Sequence, residues 1–188
     1  MSAMNARTRT ARRQGRLLLW FLIATAMLAG AESARAQTTV IVLVRHAEQD
    51  RSGGQDPGLT AAGRERADSL VRTLRGSGIR AIYHTQLLRS KETASPVAST
   101  LGIRTTELGI RRGQSPADHA GEVAAHVVAN HRGGTVLVVG HSNTVPLIAA
   151  ALGVPDPPPI ADTEFHHLFV VLKPQSGPAS LILGRYGS

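Results

Sequence analysis

The 188-residue sequence contains no cysteine, which excludes disulfide bonds and thiolate metal sites. It shows no internal repeat and no second apolar core, so we predict a single domain of ordinary size. A membrane-length apolar run is missing as well, because the apolar stretch at residues 17–30 is shorter than the roughly 20 residues that cross a bilayer. One core without covalent cross-links must therefore hold the fold.

The net charge of +8 is typical of a protein that binds nucleic acid or an acidic membrane, but it is unevenly distributed. Six of the 21 basic residues and one of the 13 acidic residues lie in the first 36 positions, which leaves 15 and 12 in the remainder. The resulting net charge of +3 is ordinary for a soluble domain. No nucleic-acid partner is therefore predicted.

Residues 1–36 are typical of a secretory signal peptide. A basic stretch up to Arg16 precedes the apolar run, and Ala34-Arg35-Ala36 forms a small-x-small cleavage site before Gln37. We expect residues 37–188 to form the functional domain, exported to the periplasm or the cell exterior. The alternative is an uncleaved N-terminal anchor, which is the only membrane contact that we predict.

Two apolar runs organise the rest of the chain. Residues 40–44 are apolar and mostly β-branched, as in a strand buried on both faces, and they lead directly into Arg45 and His46. Residues 135–139 repeat the pattern and lead through Gly140 into His141. Because ligands bind beyond the carboxyl ends of parallel strands, we expect these side chains to meet in one pocket.

Strand-like and helix-like segments alternate along residues 37–188, which predicts a three-layer α/β/α domain with a mostly parallel sheet. A short, turn-rich linker at 173–178 indicates that the last two strands form an antiparallel hairpin. Pro96 predicts a kink, or two short helices, within one helical segment. The predicted strands are 38–44, 79–83, 103–108, 135–139, 168–172 and 181–183. The first predicted helix begins after Thr60, and the other three cover 85–101, 116–129 and 143–152.

Four side chains are expected at the carboxyl edge of this sheet: Arg45, His46, His141 and Arg89, the last lying one turn into the helix after the second strand. Two guanidinium groups suit a phosphate, because each offers planar, paired donors to its oxygens. A neutral imidazole can attack phosphorus and carry the phosphoryl group, and a second, protonated imidazole can stabilise charge on its oxygens.

At these positions the chain resembles the histidine phosphatase superfamily, whose fold is phosphoglycerate mutase-like. The resemblance rests on four segments in the family's order and covers roughly residues 38–185. They are Arg45-His46-Ala47-Glu48, then Leu59-Thr60-Ala61-Ala62-Gly63, then Thr85-Gln86-Leu87-Leu88-Arg89-Ser90-Lys91-Glu92-Thr93-Ala94, then Gly140-His141-Ser142.

The resemblance implies that His46 is the nucleophile and that Arg45, Arg89 and His141 hold the phosphoryl group. It implies a six-stranded sheet with one antiparallel strand, no metal and no cofactor. The expected substrate is a phosphorylated small molecule or a phosphoprotein, including phosphohistidine, and the expected reaction is hydrolysis. Mutase activity is disfavoured because the short chain has no long insertion to shield an intermediate from water.

The chain departs from the family pattern in three ways. Ala47 replaces the usual glycine, and the Trp-Asn that follows the motif in the mutase branch is absent. The family's general acid, a glutamate after the third strand, has no clear counterpart. Glu107 is the first candidate by position, followed by Asp118 and Glu48. A catalytically weak phosphate-binding module of the same fold is therefore the alternative function.

Six further histidines need an interpretation. The adjacent pair His166-His167 suggests a metal site, but neighbouring residues at a strand start point to opposite faces, so we interpret the pair as structural. The other four lack the spacing of metal ligands and are expected on the surface: His84, His119, His126 and His131. The basic pair Arg111-Arg112 fits equally a pocket mouth or a solvated loop.

Overall fold

The computed structural model describes residues 37–187, so the signal-peptide prediction for residues 1–36 lies outside the described residues. Strands and helices alternate until the final hairpin. The elements are β1 (Thr39–Arg45), α1 (Ala61–Thr73), β2 (Ile79–His84), α2 (Leu88–Leu101), β3 (Thr105–Glu107), α3 (Pro116–Asn130), β4 (Thr135–Gly140), α4 (Val145–Ala151), β5 (His167–Lys173) and β6 (Ser180–Arg185). Within this described part of the chain, no helix is long and apolar enough to cross a bilayer.

The six strands form one sheet in the order β3-β2-β4-β1-β5-β6. β1 and β4 are parallel neighbours, and β2 is parallel to both β3 and β4. β5 is antiparallel to β1 and to β6, so it alone runs against the other five strands. The predicted hairpin and the mostly parallel sheet with one antiparallel strand are both confirmed.

β1 lies inside the sheet and is buried on both faces, which explains its unbroken apolar run. Ile41 and Leu43 pack into the core under α3 and α4, together with Phe169 of β5. Val42 and Val44 point to the opposite face and pack into the core under α1 and α2. This alternation produces the predicted three layers, with helices covering both faces of one sheet.

The helix boundaries follow from local contacts. Thr60 caps α1 as predicted, its hydroxyl accepting the N–H of Gly63 at 3.0 Å. α2 starts at Leu88 rather than near residue 85, because the carboxylate of Asp56 accepts the N–H of Leu88 at 3.0 and 3.1 Å. α2 is one continuous helix through Pro96, so the alternative of two short helices is wrong.

The loop after β1 is fixed against the start of α1. The N–H of Thr60 donates to the carbonyl oxygen of Glu48 at 2.9 Å. Gly63 lies directly against that same carbonyl, and a side chain there would collide with it. The glycine of the Leu59–Gly63 segment is therefore required by the close approach of α1 to the backbone just after His46.

Candidate active site

The carboxyl ends of β1 and β4 lie side by side and carry the two predicted histidines. Arg45 pairs with Gly140, and the N–H of His46 donates to the carbonyl oxygen of Gly140 at 2.9 Å. The rings of His46 and His141 consequently lie edge to face, with centroids 5.3 Å apart. Arg89 reaches the same point from α2, so the structure brings all four predicted side chains together.

The ring of His46 is held in one tautomer. Its Nδ1 lies 2.7 Å from the carbonyl oxygen of Ala47, and a carbonyl can only accept, so Nδ1 carries the proton. Nε2 is left with its lone pair and accepts a hydrogen bond from Nε of Arg89 at 3.2 Å. Burial, reinforced by the charges of Arg89 and Arg45, lowers the pKa of His46 to about 4. His46 is therefore a neutral base at physiological pH.

His141 is fixed through both its backbone and its ring. Its N–H donates to the hydroxyl of Thr144 at 2.9 Å, and its Nε2 lies 3.0 Å from the hydroxyl of Thr85. Thr85 continues to the hydroxyl of Ser90 at 2.9 Å, so a buried polar chain supports the ring. Burial and the neighbouring His46 lower the pKa of His141 to about 3.

The guanidinium of Arg45 is held by the segment between α4 and β5. Its Nη1 donates to the carbonyl oxygens of Ala161 at 2.9 Å and Glu164 at 3.1 Å. The ring of Phe165 lies over the guanidinium, 4.0 Å from Cζ, which gives a cation–π contact. Among residues 37–187, Nε of Arg45 has no hydrogen-bond partner although it is buried. That N–H is a donor left over for a ligand.

Asp56 fixes the position of Arg89 as well as the start of α2. Its Oδ1 lies 3.9 Å from Nη1 of Arg89 while its carboxylate caps Leu88. Burial lowers the pKa of Arg89 despite the charge of Asp56, and the group stays cationic. Sequence reasoning missed Asp56 because the Asp56-Pro57-Gly58 cluster fits an ordinary turn, and only the tertiary structure brings it to the helix.

The carboxylate of Glu48 pairs with a residue outside the site, although Glu48 lies only two residues after His46. Its carboxylate is bound by Arg66, with Oε1 2.7 Å from Nη2 and 2.9 Å from Nε. Arg66 also binds the carbonyl oxygens of Tyr186 and Gly187, so the pair fastens the end of the described chain to the loop after β1. Burial alone would raise the pKa of Glu48, but the Arg66 hydrogen bonds lower it. The carboxylate therefore holds no proton to donate at neutral pH.

The other two acid candidates lie away from the histidines or serve other contacts. Glu107 ends β3, where it pairs with His84 of β2. β3 lies three interstrand spacings from β1, or about 14 Å. Asp118 accepts the hydroxyl of Ser115 at 2.7 Å and helps to cap α3. In the described region none of the three acid candidates hydrogen-bonds to any of the four site residues.

Two further side chains line the site and were not expected. Phe165 lies 6.1 Å from His46 between ring centroids, so it flanks the nucleophile as well as Arg45. Asp162 accepts the hydroxyl of Ser142, the residue after His141, at 2.8 Å. Both belong to the connection that follows the Asp156-Pro157-Pro158-Pro159 stretch, and only the tertiary fold brings that connection to the sheet edge.

The expectation for the remaining histidines is partly wrong. His84 and His119 are 6% and 3% exposed, because His84 ends the inner strand β2 and His119 faces the sheet from α3. His126 and His131 lie on either side of the Tyr83 hydroxyl, at 3.2 and 2.6 Å. These contacts are structural and distinct from the candidate active site.

The rings of His166 and His167 lie on the same side of the chain, with centroids 4.4 Å apart. The expectation that they point to opposite faces is therefore wrong. β5 begins only at His167, so His166 precedes the extended backbone that would impose alternation. The carboxylate of Glu164 completes a cluster in which one ligand atom from each residue lies within 4.8 Å of the others.

The solved structures to which the chain is similar share its fold. Bacillus stearothermophilus YhfR is 22% identical, with a TM-score of 0.60 over 80% of this chain and 97% of that one. The protein histidine phosphatase SixA, in complex with tungstate, is 21% identical, with a TM-score of 0.61 over 78% and 96%. The mycobacterial glucosyl-3-phosphoglycerate phosphatase Rv2419c is 18% identical, with a TM-score of 0.56 over 79% and 98%.

Sequence comparison adds evidence over part of the domain. PE-PGRS family protein PE_PGRS11 of Mycobacterium tuberculosis is 35% identical over 75 residues, which span 36% of this chain but only 13% of that protein. Residues 41–112 match the sequence model of the histidine phosphatase superfamily, branch 1, and they include Arg45, His46 and Arg89. Over residues 41–112 the chain is therefore similar to the histidine phosphatase superfamily, and the described domain shares the fold of the structures above.

Proposed function

We propose that this protein is a phosphatase that transfers a phosphoryl group to Nε2 of His46 and then to water, without a metal ion. The observation that carries the proposal is the hydrogen bond from Nδ1 of His46 to the carbonyl oxygen of Ala47. It leaves the lone pair of Nε2 facing the guanidinium of Arg89, where a phosphoryl group would be held. A nucleophile needs this arrangement before the substrate arrives.

The residues around His46 suit the charge of a phosphoryl group. Arg89 presents its Nε–H at the nucleophilic nitrogen, and the unpartnered Nε–H of Arg45 is a second donor. The third group, His141, is neutral because burial lowers its pKa. A bound phosphate dianion opposes that effect and draws a proton onto the ring. His141 would then stabilise the equatorial oxygens as the barrier is crossed.

The reaction follows from these positions. Nε2 of His46 attacks phosphorus in line, the N–P bond forms, and the bond from phosphorus to the leaving group breaks. The leaving group departs with that electron pair and takes a proton from solvent. Water then attacks phosphorus, the electrons of the N–P bond return to Nε2, and one proton of the water passes to solvent. The products are inorganic phosphate, the dephosphorylated substrate and neutral His46.

The contacts of the acid candidates favour a substrate whose leaving group departs without a strong proton donor. The hydrogen bonds from Arg66 keep Glu48 ionised, and Glu107 lies on β3, three strand positions from β1 and His46. An alkoxide needs a strong proton donor, whereas imidazole leaves phosphohistidine more readily. Similar folds include a protein histidine phosphatase and a glucosyl-3-phosphoglycerate phosphatase, so we propose phosphohistidine first and phosphomonoesters second.

The decisive experiment compares the full-length protein with His46→Ala in excess EDTA. Substrates are a phosphohistidine peptide and para-nitrophenyl phosphate. We expect the wild type to hydrolyse both, the variant to fall to background, and alkaline quenching to trap a wild-type phosphohistidine that acid destroys. His126→Ala is the matched control, because it removes a histidine that contacts Tyr83 rather than the site.

Two results would contradict the proposal. Loss of activity in EDTA from both the wild type and His166→Ala would assign the chemistry to a metal, and persistent activity in His46→Ala would assign the nucleophile elsewhere. Stoichiometric labelling of His46 without turnover on either substrate would instead support the alternative function, a phosphate-binding module. Export from the cytoplasm stays a prediction from residues 1–36, and fractionation of cells that express the full chain tests it.

A further inference from the structure

A cluster of three potential metal ligands lies at the start of β5, next to the active site but separate from it. Oε2 of Glu164 accepts the N–H of Ala161 at 2.9 Å and lies 3.2 Å from Nε2 of His167. The ring of His166 stacks beside that of His167 at 4.4 Å between centroids. One nitrogen from each ring and one carboxylate oxygen thus converge within 4.8 Å.

The two imidazoles have unused nitrogens. Within residues 37–187, Nε2 of His166 is buried and makes no hydrogen bond, and Nε2 of His167, also buried, has only the Glu164 carboxylate 3.2 Å away. A buried polar atom without a partner costs free energy, so the orphaned nitrogen of His166 beside this pair needs an explanation. A metal ion between them would give both lone pairs a partner at once.

The donor set selects the kind of ion. Two imidazole nitrogens and one carboxylate oxygen suit zinc and neighbouring first-row divalent ions. Calcium and magnesium instead need a shell made mainly of oxygens.

We propose that Glu164, His166 and His167 bind one divalent transition-metal ion of the zinc class, with water in the fourth position. Arg185 and Arg66 face His166 and oppose the added positive charge, whereas the Glu164 carboxylate offsets one unit of it. Binding therefore depends on all three ligands together. The inference does not depend on the proposed function, because none of the three side chains belongs to the phosphoryl site.

The site is connected to Arg45 through the backbone. The carbonyl oxygen of Glu164 accepts from Nη1 of Arg45, and Phe165, between two ligands, covers the guanidinium. A metal bound by residues 164, 166 and 167 would fix the backbone that holds this arginine. Its role is to stabilise the segment and not to take part in phosphoryl transfer.

The test is a zinc titration of full-length protein that has been stripped with EDTA and desalted. A competing zinc indicator measures affinity and stoichiometry, and thermal unfolding is followed with and without zinc. We expect one equivalent to bind and to raise Tm. His166→Ala and His167→Ala should each weaken binding by about tenfold or more and abolish the rise in Tm. Glu164→Gln should do the same, and it keeps the backbone carbonyl that Arg45 uses.

Two control variants separate this site from other histidine pairs. His46→Ala removes one ring of the active-site pair, and His126→Ala removes one ring of the pair around Tyr83. We expect both to bind zinc like the wild type. The proposal is wrong if the wild type binds no zinc, if His46→Ala or His126→Ala loses it, or if His166→Ala and His167→Ala together retain it.

Discussion

The hydroxyl of Thr93 accepts the backbone N–H of Ala47 at 2.9 Å, across 46 residues of sequence. The same hydroxyl donates to the carbonyl oxygen of Arg89 at 2.7 Å. Thr93 is fully buried, so this one side chain joins the backbone beside the proposed nucleophile to the helical turn that carries Arg89. The alignment of His46 with Arg89 therefore depends on a residue that hydrogen-bonds to neither of their side chains.

Thr93→Val tests this link. Valine has nearly the same shape but leaves the Ala47 N–H buried without a partner, which costs about 1–3 kcal/mol of unfolding free energy. We expect kcat to fall as His46 and Arg89 lose alignment, while Thr93→Ser keeps the hydroxyl and most of kcat. Urea unfolding and steady-state kinetics measure the two effects. Equal kcat values for the valine and serine variants would contradict a positioning role.

The buried histidines predict how stability changes with pH. His46 and His141 have pKa values of about 4 and about 3 in the folded protein, against about 6.5 in an unfolded chain. Between these values the unfolded state binds more protons, so the free energy of unfolding falls as pH drops from about 6.5 towards 3. The shift of His46 alone corresponds to a loss on the order of 3 kcal/mol.

Denaturant titrations at pH 7 and pH 4.5 check this dependence. His141→Gln keeps a polar group near Thr85 but cannot gain the proton, so we expect a smaller difference between the two pH values than in the wild type. Titrating carboxylates contribute equally to both proteins and cancel in the comparison. A variant with the same pH dependence as the wild type would show that His141 is not responsible.

Asp56 has two roles that mutation can separate: its carboxylate accepts the N–H at the start of α2, and its charge faces Arg89. Asp56→Ala removes the acceptor for the Leu88 N–H and should lower the free energy of unfolding by about 1 kcal/mol. Asp56→Asn keeps an acceptor oxygen and should be nearly as stable as the wild type. Because Asn lacks the charge that faces Arg89, we expect it to alter KM more than stability. If both variants lose stability equally, the carboxylate charge and not the cap is what matters.

The ring of Phe165 is expected to help hold the Arg45 guanidinium in place for substrate binding. Phe165→Leu removes a cation–π contact of roughly 0.5–2 kcal/mol, so we expect KM to rise several-fold with a smaller change in kcat. Phe165→Tyr keeps the aromatic face and serves as the matched control. Kinetics on para-nitrophenyl phosphate distinguish the two. An unchanged KM in the leucine variant would mean that the backbone carbonyls alone hold Arg45.

The sequence predicts the strands and the four central side chains because those signals are local. The apolar run of residues 40–44 ends at Arg45, and two parallel strands that end together must bring their next residues together. Thr60 and Gly63 likewise lie within one turn of the helix that they start. In each case the residue lies within a few positions of the sequence pattern that determines its conformation.

What the sequence could not predict comes from contacts between distant segments. Asp56 caps Leu88 from 32 residues away, and Ala161 accepts from Arg45 across 116 residues. The pairing of Glu48 with Arg66 depends on how closely α1 approaches the loop after β1. The sequence predicts opposite faces for His166 and His167 because it does not define the first residue of β5.

The strand order has a consequence for how the chain folds. Among residues 37–187, β1 is the first strand to be synthesised, yet both of its sheet neighbours, β4 and β5, begin only at Thr135 and His167. Contacts so distant along the chain form slowly, since a long loop must close first. His46 therefore leaves the ribosome early but gains its surroundings only after most of the domain has been translated. Until then, the apolar strand before it is exposed and open to chaperones.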